Sequence, residues 1–97
     1  MLRSHQVGYG QPMKPDELLR RLARGDFRNV RFSDARRLAE ALGFELDRVR
    51  GSHHIFRHPD VGQRLNLQER GDEAKPYQLH QLLDLIERYD LELKDRR

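Results

Sequence analysis

Cysteine is missing from all 97 residues. That one absence removes a disulfide framework, a thiolate metal site and a cysteine nucleophile together, and it fits a reducing compartment better than a secreted one. Long apolar runs are missing too: no stretch approaches the ~20 residues a membrane span needs. The first ten residues lack the apolar segment of a signal peptide, so the expectation is a cytoplasmic protein that stays where it is made. Apolar residues make up only 36% of the chain, enough at this length for one two-layer core and too little for a second domain. There is no internal repeat and no low-complexity segment.

Excess charge of one sign is also scarce. The chain carries 19 Lys and Arg against 16 Asp and Glu, a formal +3, which points only weakly to a polyanionic partner. By segment, residues 1–43 hold 9 basic and 5 acidic groups, residues 44–75 hold 6 and 6, and residues 76–97 hold 4 and 5. The formally neutral middle segment contains three of the five histidines, His53, His54 and His58, whose charge switches near neutral pH.

Residues 1–13 are polar, with Gly8, Gly10 and Pro12 and no apolar period, and read as a disordered leader. Residues 14–90 read as the single domain, with its core over 33–90, and 91–97 as a frayed tail. Pro15, Asp16 and Glu17 open a first helix whose stripe is Leu18, Leu19 and Leu22 and whose end is Gly25. Ser33 is the expected cap of a second helix over about 34–42, with Ala35, Leu38, Ala39 and Leu42 on one face and Gly43 after it. Residues 44–50 and 53–58 read as strands about a Gly51-Ser52 turn, and the second is stopped by Pro59-Asp60-Val61-Gly62. A third strand alternates over 64–68, 69–75 is a charged loop around Gly71, and Pro76 opens a last helix through Leu79, Leu82, Leu83, Ile86 and Tyr89. The order predicts an α+β two-layer sandwich: a three-stranded antiparallel sheet with helices on one face and an extra N-terminal helix.

The stretch Gly51-Ser52-His53-His54-Ile55-Phe56-Arg57-His58-Pro59 carries the chemistry. On a helix His54 and His58 would share a face and could hold a metal. Gly51-Ser52, the bulky Ile55-Phe56 pair and Pro59 instead favour an extended segment, which separates the two rings by roughly 13 Å. Zinc ligands must each reach about 2 Å from one ion, so no metal or other cofactor is expected. General acid–base catalysis needs only one well-placed imidazole. Alternation puts His53, Ile55 and Arg57 on one face and His54, Phe56 and His58 on the other. Both faces hold an apolar residue, so the pattern does not decide which one is inward.

The runs Leu42-Gly43-Phe44, Arg48-Val49-Arg50-Gly51-Ser52-His53-His54-Ile55-Phe56, Leu65-Asn66-Leu67-Gln68 and Ala74-Lys75-Pro76-Tyr77-Gln78 resemble the HicA family of toxins from bacterial toxin–antitoxin pairs. The likeness spans about 32–89, and the preceding helix resembles that of a longer variant of the family. The resemblance implies a fold similar to double-stranded-RNA-binding domains, a messenger-RNA endonuclease activity, and a HicB-like antitoxin that neutralises it by covering the face that carries His54. The family's active histidine is the second residue after the Gly-Ser turn, which carries over to His54. The neutral charge of the sheet segment departs from strong duplex capture, so basic groups would have to be gathered by the fold.

With these residues the simplest chemistry on RNA uses the substrate's 2′-hydroxyl as nucleophile toward the adjacent phosphate. His54 would act as general base or acid, an effect on the order of 10²- to 10⁴-fold. Arg48, Arg50, Arg57 and Lys75 are the candidate phosphate contacts, and Gly51 and Ser52 would let backbone approach the RNA. Phe56 would stack on a base, worth roughly 1–3 kcal/mol, or anchor the antitoxin. His58 is too far along the strand to pair with His54 and reads as a surface strand-end histidine. The free toxin is expected to be a monomer, and a hetero-oligomer with its antitoxin. The competing readings are a non-catalytic RNA-binding module of the same fold and a purely structural interaction domain.

Overall fold

The computed structural model describes residues 11–94. Their elements run α1 (Pro15–Ala23), α2 (Phe32–Ala41), β1 (Glu45–Arg50), β2 (His53–His58), β3 (Val61–Arg70), β4 (Glu73–Ala74) and α3 (Pro76–Tyr89). At the start of α1, Pro15 fills a position where an N–H would have no helical partner, Asp16 and Glu17 meet the positive end of the dipole, and Glu17 Oε1 accepts the Lys14 N–H at 3.3 Å. Leu18 and Leu22, one turn apart, are fully buried. The helix packs mainly against α2 and α3, so α1 backs the helical layer.

The chain is α+β, with the helices on one face of an antiparallel sheet of order β1-β2-β3-β4. The sheet has four strands where three were expected. The fourth is two residues long and pairs Arg70 with Glu73 and Glu69 with Ala74 across the turn at Gly71. A two-residue strand has no period to read, and only Ala74 of the pair is buried. Two backbone bonds tie this hairpin to the connector before α2: Ala74 N–H donates to the Val30 carbonyl at 2.9 Å, and Phe32 N–H to the Asp72 carbonyl at 2.8 Å. The second bond explains why α2 begins at Phe32, with Arg31 at its cap and Ser33 already inside it. β3 is longer than expected because His58 pairs with Val61, so the ladder resumes directly after the Pro59-Asp60 turn.

Directly opposed residues of an antiparallel ladder share a face. The rows Leu46–Phe56–Leu65 and Val49–His54–Leu67 therefore point toward the helices, and the rows Arg48–Ile55–Asn66 and Arg50–His53–Gln68 point away. The core lies between Phe56, Leu65 and Leu67 of the sheet and Leu38, Ala39, Leu79, Leu82 and Leu85 of the helices, all with relative exposure near zero. The helices cover the β2 and β3 columns and leave the β1 column open, so Leu46 and Val49 stay 46% and 48% exposed although they face inward.

Of the leader expected over 1–13, residues 1–10 lie outside the described residues; Met13 packs against the core, and its N–H donates to Asp34 Oδ1 at 3.2 Å. Of the tail expected to fray over 91–97, residues 91–94 are described and carry no secondary structure. Leu91 and Leu93 pack on the core, and Lys94 N–H donates to the Ala41 carbonyl at 2.7 Å, while 95–97 lie outside the described residues. No helix among the described residues is long and apolar enough to cross a membrane.

Candidate active site

β1 and β2 are joined by the two residues Gly51 and Ser52, with Arg50 opposite His53. Gly51 adopts φ +57, and a Cβ built there would meet nothing within 4 Å, so the turn presents bare backbone to solvent. Ser52 organises the start of β2. Its carbonyl accepts the Glu69 N–H at 2.9 Å and lies 3.4 Å from His54 Nδ1; its Oγ accepts from Gln68 Nε2 at 3.3 Å. A carbonyl can only accept, so the His54 bond selects the tautomer with the proton on Nδ1. Nε2 then carries the lone pair, and among the described residues it has no protein partner.

His54 sits at the lip of the helical layer. Across its row Val49 is half exposed, His54 is half-buried and Leu67 is fully buried. The ring meets Phe32, at the start of α2, at a centroid distance of 4.6 Å and an angle of 51°. It is thus on the inward face of the sheet but at that face's open margin, held by an aromatic contact on one side and a carbonyl on another.

The other candidates divide. Phe56 shares the face of His54 but is completely buried in the core, which corrects the expectation that it stacks on a base or anchors a partner. Alternation could not separate Phe56 from Ile55; which of them is inward depends on the side the helices take. Arg48, Arg50 and Arg57 project from the opposite face, so they do not line the same groove as the His54 ring. Arg57 is engaged with Glu45 at 3.7 Å, whereas Arg48 and Arg50 form no ion pair among the described residues. Lys75 stands at the cap of α3 with its Nζ 5.9 Å from the centroid of the Tyr77 ring. Gly51 and Ser52 stay with His54, and Lys75 lies at the same end of α3 as Gln78.

The remaining two histidines of the middle segment are engaged. His53, on the outer face, donates from Nδ1 to Asn66 Oδ1 at 3.2 Å. His58 is no loose surface group. Its Nε2–H donates to the Leu42 carbonyl at 2.9 Å, its Nδ1 accepts the Asp60 N–H at 3.0 Å, and its ring stands edge-on to Phe44 at 5.0 Å. Among the described residues no three His, Asp or Glu side chains converge as a metal site requires.

Sequence reasoning missed Phe32 as the ring's support and Gln78 as a polar anchor. Gln78 is 1% exposed, and its side-chain oxygen accepts the Gln68 N–H, which docks the first turn of α3 on β3 beside Ser52. The available signal was its spacing, one and two turns before Leu82 and Leu85 on the buried face.

A family model described as the HicA toxin of bacterial toxin–antitoxin systems matches residues 32–87. The chain belongs to the HicA toxin family. Comparison with curated proteins and with solved structures gives no match. The HicA match begins at the first residue of α2 and ends near the end of α3, so it takes in the whole sheet and leaves out α1. As a HicA toxin the chain is one half of a toxin–antitoxin pair.

Proposed function

We propose that this HicA toxin is an endoribonuclease that cleaves messenger RNA with His54 as its proton carrier, without a metal, and that a HicB-like antitoxin silences it by covering the His54 margin. The observation that supports this reading is the fixed imidazole: Nδ1–H held by the Ser52 carbonyl, ring against Phe32, Nε2 without a partner among the described residues beside an exposed glycine turn.

In the proposed reaction the RNA lies along the β1–β2 turn. Nε2 of His54 removes the proton of a ribose 2′-hydroxyl, and the 2′-oxygen attacks the adjacent phosphorus. The bond from phosphorus to the 5′-oxygen breaks, and that oxygen takes a proton from water. The products are a 2′,3′-cyclic phosphate and a 5′-hydroxyl end. A second histidine does not take part: His53 is on the far face, and both nitrogens of His58 are engaged. Lys75 and the backbone of Gly51 and Ser52 contact the RNA phosphates near the bond. Arg48 and Arg50 reach RNA on the outer face and add affinity without touching the reacting phosphate. The antitoxin's apolar anchorage falls on Leu46 and Val49, the exposed inward-facing pair next to His54, in place of the buried Phe56.

The test is cleavage of a defined RNA in the presence of a chelator. His54→Ala loses about 10²- to 10⁴-fold in rate while it keeps the wild-type circular dichroism and RNA affinity. Wild-type cleavage by the variant overturns the assignment of His54. RNA binding without any cleavage by the wild-type chain favours the non-catalytic module, for which the unpaired Arg48 and Arg50 on the outer face are the supporting observation.

A further inference from the structure

Three large apolar side chains stand exposed on the described surface: Leu46, Val49 and Tyr77. The first two are neighbours on β1. Tyr77 is 64% exposed in the first turn of α3, beside β4, at the other edge of the sheet from β1. Neither of the other two stands near it, and so much of its side chain is in water that it adds little to the core. It lines a shallow cavity of about 530 Å³ with Arg70, Glu73, Ala74, Lys75 and Pro76.

The ring is held in place. Its hydroxyl accepts from Gln78 Nε2 at 3.5 Å, and the Lys75 ammonium lies 5.9 Å from its centroid. Gln78 is itself buried and bonded to the Gln68 N–H. Gln68 donates through its side chain to Ser52 Oγ, and the Ser52 carbonyl holds His54 Nδ1. Tyr77 and His54 are therefore the two ends of one polar chain, Tyr77–Gln78–Gln68–Ser52–His54, that crosses the end of the sheet. Two cations, Arg70 and Lys75, line this cavity with one carboxylate, Glu73; Lys75 is the one over the ring, and neither cation forms an ion pair among the described residues. An isolated, oriented aromatic with a cation beside it and a second cation in the same cavity matches a nucleotide, whose flat base stacks and whose phosphate takes the charge; the other large apolar side chains exposed on the described surface, Leu46 and Val49, lie at the opposite edge of the sheet and cannot extend it into a protein anchor.

We infer that Tyr77 is the stacking platform for an unpaired base of the RNA that His54 cleaves, with Lys75 and Arg70 on the flanking phosphates, and that the substrate at this site is single-stranded. The inference rests on the nuclease reading and deepens it. A duplex keeps its bases stacked on one another and cannot offer a free face to Tyr77.

The chain contains no tryptophan, so Tyr77→Trp installs a single, selectively excitable indole at the platform. In a His54→Ala background the RNA stays intact, and a short single-stranded oligoribonucleotide quenches the indole while the same sequence as a duplex leaves it unchanged at equal concentration. Tyr77→Ala in that background weakens single-strand binding about 5- to 150-fold, the range of one base stack, and Tyr77→Phe keeps most of it. With His54 present, Tyr77→Ala raises KM far more than it lowers kcat. Tight binding of the single strand with no quench, and with Tyr77→Ala equal to its parent, overturns the platform and leaves the nuclease intact. The same holds if Tyr77→Ala spares RNA and instead weakens the antitoxin complex, because the ring is then a protein anchor. If the wild-type chain neither binds nor cleaves RNA, both the platform and the nuclease reading fall.

Discussion

His54 and His58 stand on the same strand and the same face of the sheet, at opposite ends of one short ladder. At His58 both ring nitrogens are committed, one to the Leu42 carbonyl at the end of α2 and the other to the Asp60 N–H of the next turn. The ring closes the space between the helical layer and the strand, and Phe44 fills its edge. At His54 one nitrogen is committed and the other is not, and the helical layer stops beside the ring instead of sealing it. Identical side chains thus acquire different work from their surroundings: a ring with two partners ties elements together, and a ring with one partner is oriented while keeping a lone pair for chemistry.

The sharpest way to break this comparison is to remove each ring in turn and read rate and stability separately. His54→Ala lowers RNA cleavage by about 10²- to 10⁴-fold and leaves the thermal midpoint within a degree or two of the wild type, measured by single-turnover cleavage and by melting. A large loss of stability with a proportionate loss of activity would make His54 a second clasp and erase the distinction.

Gly43→Ala comes next in size. Gly43 has φ +101, and a Cβ there would lie 2.8 Å from His58 Nε2. The substitution imposes left-handed strain of ~1–3 kcal/mol and pushes the ring off the Leu42 carbonyl, which is left unsatisfied at a further ~1–3 kcal/mol. His58→Ala leaves the same carbonyl unsatisfied without the backbone strain, and it also gives up the Asp60 N–H bond and the Phe44 contact. Because both variants break the same bond, the double variant is less destabilised than the sum, and urea unfolding of all four chains measures the coupling. Strict additivity would show that the His58 bond carries no stability.

How far the two fates could be read in advance depends on where their causes lie. The apolar spacing of Ala35, Leu38 and Ala39 and the Gly51-Ser52 turn between two extended runs are local, and the helix and hairpin they specify are the ones observed. The partner of His58 is a carbonyl sixteen residues upstream, so no pattern within β2 distinguishes it from a surface group. Phe56 and Ile55 are equally apolar, and only the side on which α2 and α3 dock makes Phe56 the buried one. The same docking sends Arg48, Arg50 and Arg57 to the face opposite His54, although they neighbour it in sequence. β4 is held by its bonds to Val30 and β3 and carries no periodic signal of its own.

The open column beside His54 offers a milder test. Leu46→Ser and Val49→Ser remove exposed apolar surface next to the candidate site and leave the buried core alone. The expected result is weaker capture by the antitoxin, about tenfold or more for the pair if they are interface anchors, with cleavage by the free chain little changed. Calorimetric titration of the antitoxin reads the first and an RNA cleavage assay the second. Unchanged antitoxin affinity would move the inhibitor to another face.

The smallest effect lies away from β2 and serves as its control. Asp26, just past the end of α1, receives a hydrogen bond from Arg21 Nε at 2.9 Å and another from the Arg28 N–H at 3.4 Å, and the Arg21 bond chiefly holds its carboxyl below the usual aspartate range against an opposing desolvation. A carboxyl whose folded-state value is depressed binds protons less readily in the native chain than in the unfolded one, so its contribution is complete above the unfolded value near 4 and fades as pH falls through the folded value. Asp26→Asn should therefore be slightly less stable than the wild type at pH 7, and the gap should close as the pH is lowered below about 4. The group is on the surface, where such pairs contribute little, so the comparison needs paired urea titrations across the acid range in low salt. A gap that stays constant from neutral to acid pH would show that the Arg21 bond does not favour the ionised form. In either case RNA cleavage at neutral pH should match the wild type, since neither Arg21 nor Asp26 is bonded to the polar chain that holds His54.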